Sequence, residues 1–95
     1  MATAHDADAP DGVRHSASIT PARWTGPLPL ATIFPRRRPL EVDLGCGKGR
    51  FLLARAAAHP ETDFLGLDRL PVRLRKLDRR IARRQLDNVR ILRVE

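Results

Sequence analysis

Asp43-Leu44-Gly45-Cys46-Gly47-Lys48-Gly49 gathers three of the chain's six glycines into five residues. Ahead of it, Leu40, Val42 and Leu44 alternate with polar residues, as in a short strand ending at Gly45. Behind it, 49 to about 59 reads as a helix with Phe51, Leu52, Ala56 and, as a further candidate, Leu53 inward, closed by His59-Pro60. The same alternation recurs downstream. Residues 63–68, DFLGLD, form a second strand, and 70–86 form the longest helix, with Pro71 near its first turn, where a missing N–H costs little. Leu70, Leu74, Leu77 and Ile81 make one apolar stripe on that helix. A third strand spans 89–94. Strands that alternate with helices pair in parallel through right-handed crossovers, so the expected fold is α/β, a βαβαβ unit on a parallel sheet.

The glycine spacing discriminates between nucleotide sites. A dinucleotide turn, G-x-G-x-x-G, needs glycine at position 50, which is Arg50. A phosphate-binding loop needs Ser or Thr after Gly-Lys and glycine at position 42, and the chain has Gly49 and Val42 there. What remains, acid-x-G-x-G-x-G, resembles the first motif of class I S-adenosylmethionine-dependent methyltransferases. A carboxylate such as Asp43 beside the turn suits a cationic sulfonium ligand and repels phosphate. Asp68 ends the second strand 19 residues after Gly49, near the place from which an acid reaches ribose hydroxyls in dinucleotide folds. A carboxylate accepts from both vicinal hydroxyls at once. Asp68 is also suited to cap the helix that follows; the glycine turn upstream favours the ligand role. Glu95, at the end of the third strand, comes next along the same sheet edge, though an exposed terminal acid fits that position too. The candidate cofactor-binding set is therefore Asp43, Gly45, Gly47, Gly49, Asp68 and Glu95. Cys46 has no His or Asn partner motif and reads as a small side chain under the ligand. Lys48 and Arg50 face solvent or an anionic substrate.

Charge and composition narrow the class. The 95 residues carry 18 Lys+Arg against 11 Asp+Glu, a net charge of +7, which favours anionic partners such as nucleic acid. Positions 69–84 hold eight of the basic residues against Asp78 alone, and Arg73, Lys76, Arg80 and Arg83 form a continuous face. A solvated outer helix accounts for this face better than a phosphate contact, since substrate enters such folds at the strand carboxyl ends. The single cysteine excludes an internal disulfide and a cysteine-only metal site and fits a reducing cytosol. No metal is expected. The longest apolar run, 51–58, contains Arg55 and is far shorter than the ~20 residues of a membrane-spanning helix. Residues 1–10 lack both the charge and the apolar core of a signal peptide. Residues 1–23 read as a disordered tail, 24–38 as a proline-rich arm whose Trp24, Ile33 and Phe34 dock on the domain, with Arg36, Arg37 and Arg38 as a solvated turn, and 39–95 as the partial cofactor-binding domain.

A narrower likeness emerges from the longer runs. Pro39-Leu40-Glu41-Val42-Asp43-Leu44-Gly45-Cys46-Gly47-Lys48-Gly49-Arg50-Phe51-Leu52, then Asp63-Phe64-Leu65-Gly66-Leu67-Asp68, then Asn88-Val89-Arg90-Ile91-Leu92, resemble the bacterial tRNA (guanine-N7-)-methyltransferases. The likeness covers about 24–95. It implies methyl transfer from S-adenosyl-L-methionine to guanine N7 of tRNA in the cytoplasm, with Asp43, Asp68 and Glu95 at the family's acidic cofactor positions. Glu, Glu and Asp are usual at those places, so charge is kept while reach changes by a methylene. It also implies the N-terminal βαβαβ half of a Rossmann-like sheet, strands in the order 3-2-1, with catalytic residues beyond Glu95. Another class I RNA or small-molecule methyltransferase, or a non-catalytic basic RNA-binding module, is the alternative.

Overall fold

The computed structural model describes residues 17–19 and 33–94. The elements are β1 (Ser18–Ile19), β2 (Leu40–Leu44), α1 (Arg50–Ala58), β3 (Asp63–Asp68), α2 (Pro71–Arg84) and β4 (Val89–Arg93). They build a four-stranded sheet in the order β1-β4-β3-β2, with every neighbouring pair parallel. The expected 3-2-1 order is thus present as β4-β3-β2, with one further strand outside β4.

Strand alternation divides the core in two. Phe64 of β3 and Val89 and Ile91 of β4 join Leu52, Leu53 and Ala56 of α1 and Leu74, Leu77 and Ile81 of α2 in one cluster. Leu65 and Leu92, one position on, turn to the other face and are covered by Ile33 and Phe34. Both helices therefore lie on one side of the sheet. β3 is central and buried along nearly its whole length, which explains its near-continuous apolar reading. Gly66 lets α1 come close: a methyl added there would meet Leu52 Cδ2 at 2.7 Å and Cys46 Sγ at 3.1 Å. Asn88 is a buried polar hub that the motifs did not mark. Its Nδ2 donates to the carbonyls of Ala56, His59 and Thr62 at 3.1, 3.1 and 2.9 Å, fastening the start of β4 to the end of α1.

Four expectations need correction. Residues 18–19, read as part of an unpacked tail, form β1. A strand this short has no periodicity of its own; it is held from a distance, by Ala17 N–H donating to Asp78 Oδ1 at 2.8 Å and Ile91 N–H donating to the Ala17 carbonyl at 2.9 Å. Phe51, expected inward, is 69% exposed because α1 turns it toward the free side of β2. Leu70, expected in the apolar stripe, stands ahead of α2 as its N-cap and is exposed. The arginine cluster is not merely solvated: Arg36 pairs with Asp87 at 3.5 Å, and Arg38 Nη1 donates to the Pro60 carbonyl at 2.6 Å. Trp24 and Glu95, and the rest of 1–32, lie outside the described residues.

Candidate functional site

The carboxyl ends of β2 and β3 carry the candidate residues. β2 runs into the glycine turn, where Gly45, Gly47 and Gly49 have φ of 69, 58 and 78°, a left-handed backbone that other residues adopt at a cost. The three glycines serve different ends. A methyl at Gly49 would lie within 3.2 Å of Leu77 Cγ and nearer still to both its methyl carbons, so this glycine seats α1 against α2. A methyl at Gly45 would meet nothing within 4 Å. Gly45 thus leaves bare main chain that a ligand can approach, whereas a methyl at Gly47 would stand 3.7 Å from Arg73 Nη1. Arg50 begins α1 with no side-chain cap and no acid in its first turn, so the helix's leading N–H groups and positive dipole end remain available there.

Asp68 ends β3 and is 6% exposed. Its Oδ1 accepts the Arg69 N–H at 2.7 Å. Its Oδ2 is buried and makes no hydrogen bond. The helix-capping role is absent: Leu70 is the N-cap of α2, and no side chain caps that end. Asp43 stands near the end of β2, paired in register with Gly66, and half-buried. Alternation directs it to the helix side, where it lines a pocket with Glu41, Phe51, Leu52, Arg55 and Phe64. Glu41 in that pocket is held by Arg55 through bonds of 2.8 and 2.6 Å, and this bond lowers its carboxyl below the ordinary value.

Cys46 ties these parts together. Its N–H donates to the Leu67 carbonyl at 2.8 Å, anchoring the turn to β3. Burial pushes the thiol up to about 11, and the charges of Asp68 and Asp43 push in the same direction. The thiol is therefore protonated at neutral pH, which removes it as a nucleophile. The same effect marks both carboxylates as neighbours of the turn. Two acids flanking a glycine turn disfavour a phosphate and favour a ligand with hydroxyls and a positive centre.

Two basic residues at this site were missed in the sequence. Arg80 Nη1 donates to the Lys48 carbonyl at 2.9 Å, clamping α2 to the glycine turn. Arg73 Nε lies 3.3 Å from Asp68 Oδ2. The sequence reading set the basic helix apart from the strand ends. Yet α2 starts three residues after β3 stops, so its first turns stand beside the site. That short connection was the available signal. Among the described residues, no three His, Cys, Asp or Glu side chains converge as a metal site would require, and no helix is long and apolar enough to cross a membrane.

Comparison with known proteins agrees with this geometry. Residues 37–95 match the model of a family described as "Putative methyltransferase". The tRNA (guanine-N(7)-)-methyltransferase of Nitrosococcus oceani is 40% identical over 95 aligned positions, covering 84% of this chain and 40% of that protein. The enzyme of the same name from Methylococcus capsulatus is 42% identical over 65 residues, covering 68% of this chain and 28% of its own length. The one from Syntrophotalea carbinolica is 35% identical over 69 residues, covering 73% and 30%. The chain thus spans well under half the length of these relatives. A glycine turn with the spacing of neither phosphate site, a family match over more than half the chain, and relatives sharing one name converge: the chain belongs to this methyltransferase family.

Proposed function

We propose that the chain is the N-terminal, cofactor-binding part of an S-adenosyl-L-methionine-dependent tRNA (guanine-N7-)-methyltransferase. Membership of the family implies a methyl donor. The observation that carries the choice of donor is Asp68: a carboxylate with one oxygen buried and without a hydrogen bond, beside a turn whose Gly45 leaves the main chain bare. Buried acceptors of this kind are stabilised once a donor reaches them, and a ribose supplies two adjacent hydroxyls.

S-adenosylmethionine, when bound, supplies an electrophilic methyl on a sulfonium centre. Asp68 would accept from the ribose hydroxyls, Gly45 and, once Arg73 swings away, Gly47 would admit the ligand to the main chain, Gly49 would hold the turn against α2, and Asp43 would offer negative charge to the cationic end. Glu95 completes the proposed set. Guanine N7 has a lone pair and no proton to lose, so the protein's task is alignment and exclusion of water rather than strong base catalysis. Catalytic residues are assigned to the part beyond Glu95. The names of the relatives support tRNA as substrate, and the excess of basic residues fits a polyanion.

The test is nucleoside mass spectrometry of tRNA from cells with and without the gene. Loss of N7-methylguanosine is expected. Its undiminished persistence, with disappearance of another methylated nucleoside, would keep the donor and overturn the acceptor.

A further inference from the structure

Arg73 occupies an unusual position for a residue on an outer helix. It lies in the first turn of α2, five residues after Asp68. Its Nε approaches Asp68 Oδ2 at 3.3 Å, and its Nη1 lies 3.7 Å from where a methyl at Gly47 would stand. The guanidinium therefore reaches from the acid to the glycine turn, the same two features that the proposed function assigns to the ligand. The contact is one of charge without alignment: Nε and Oδ2 are both buried, and neither makes a hydrogen bond. Asp68 is 6% exposed and cannot move away, whereas the Arg73 side chain is 41% exposed and can swing into solvent.

Arg80 provides the contrast. Its bond to the Lys48 carbonyl holds the α2 backbone against the turn, so withdrawal of Arg73 requires a rotamer change and no helix movement. The buried oxygen of Asp68 thus has a poorly aligned occupant on a free tether. A pair of vicinal hydroxyls would offer it aligned donors in place of that contact.

We propose that Arg73 is a latch on the ribose-binding acid. It neutralises Asp68 when no ligand is bound and must leave before hydroxyls can reach Oδ2, so latched and liganded states exclude each other. Apparent ligand affinity is then reduced by the fraction of molecules that are latched. This rests on the reading of Asp68 as a ribose acceptor.

The experiment is calorimetric titration of the intact protein with S-adenosylhomocysteine, which binds without turnover. Arg73→Gln, which keeps an N–H donor at the ε position but neither the charge nor the guanidinium, is expected to bind about fivefold tighter than the parent, the scale of a partly exposed ion pair. Arg73→Met is expected to show the same gain, and thermal midpoints check that both variants fold. In an Asp68→Asn background the gain should vanish, because the latch acts only through that carboxylate. An unchanged or weaker dissociation constant in both Arg73 variants, with the parent still binding, overturns the latch and leaves the cofactor reading intact. A parent that takes up no S-adenosylhomocysteine overturns the cofactor reading and the latch with it.

Discussion

The two edges of the sheet are finished differently. Beyond β4, β1 adds a strand, Asp78 holds the Ala17 N–H, and Ala17 itself is 4% exposed. Beyond β2, no strand pairs among the described residues, and Val42, Leu44 and Phe51 are 50, 77 and 69% exposed. An unpaired parallel strand with apolar side chains in water invites another segment. The closed edge is finished by backbone and side-chain contacts, and β2, which runs into the glycine turn of the proposed cofactor site, is the open one. The relatives compared above are far longer than this chain.

The largest test of this contrast is to study 1–95 alone. It should unfold in a broad, non-cooperative urea transition, because the open side leaves apolar area uncovered. A sharp transition of a soluble monomer would mean that the closed side suffices. Next in size is the closed core itself. Leu77, fully buried between Gly49 and the sheet, should cost about 2–5 kcal/mol as Leu77→Ala in the intact protein, read from chemical denaturation. On the functional side, Asp68→Ala should weaken S-adenosylmethionine binding by about 1.5–3 kcal/mol, measured on protein that a thermal melt shows to be folded. An unchanged dissociation constant would reduce Asp68 to an anchor for the Arg69 N–H.

Smaller effects sharpen the picture at either end of the sheet. Asp63, at the amino end of β3, is buried, and burial raises its carboxyl above the ordinary 3.8 despite Arg38 and Arg36 nearby. The native state then holds this proton more tightly than the unfolded chain does. From 3.8 up to the raised native value, stability should fall as pH rises. Asp63→Asn should abolish that slope and be the more stable form at neutral pH, as seen in denaturation curves across pH. The smallest effect is at Cys46. With its thiol pushed up to about 11, alkylation at pH 8 should be slow, should rise about tenfold per pH unit and should level off only near that value; fast labelling at pH 8 would show the thiol to be less buried than this.

Much of this was legible in residue order because it is local chemistry. Alternation at Leu40, Val42 and Leu44, the break at His59-Pro60 and the stripe of Leu74, Leu77 and Ile81 reflect backbone periods, so the elements and their parallel pairing followed. The glycine spacing was equally readable, since each glycine must satisfy its own φ. Phe51 departs from the expectation for a reason periodicity cannot see: a helix can present an apolar residue to a side where the described residues supply no neighbour.

Sequence by itself determined the α/β alternation, the turn with the spacing of neither phosphate site, and the acids before and after it. Tertiary structure alone decided what depends on contacts between distant residues. Ser18–Ile19 became a strand only because β4 offered an edge and Asp78 a carboxylate. Asn88 became a hub only where α1 ends against β4. Arg73, one of sixteen arginines, stands out only because the short link from β3 to α2 brings its guanidinium to the buried oxygen of Asp68. Backbone periods are set within a few residues and so can be read along the chain, whereas an ion pair depends on where two elements come to rest.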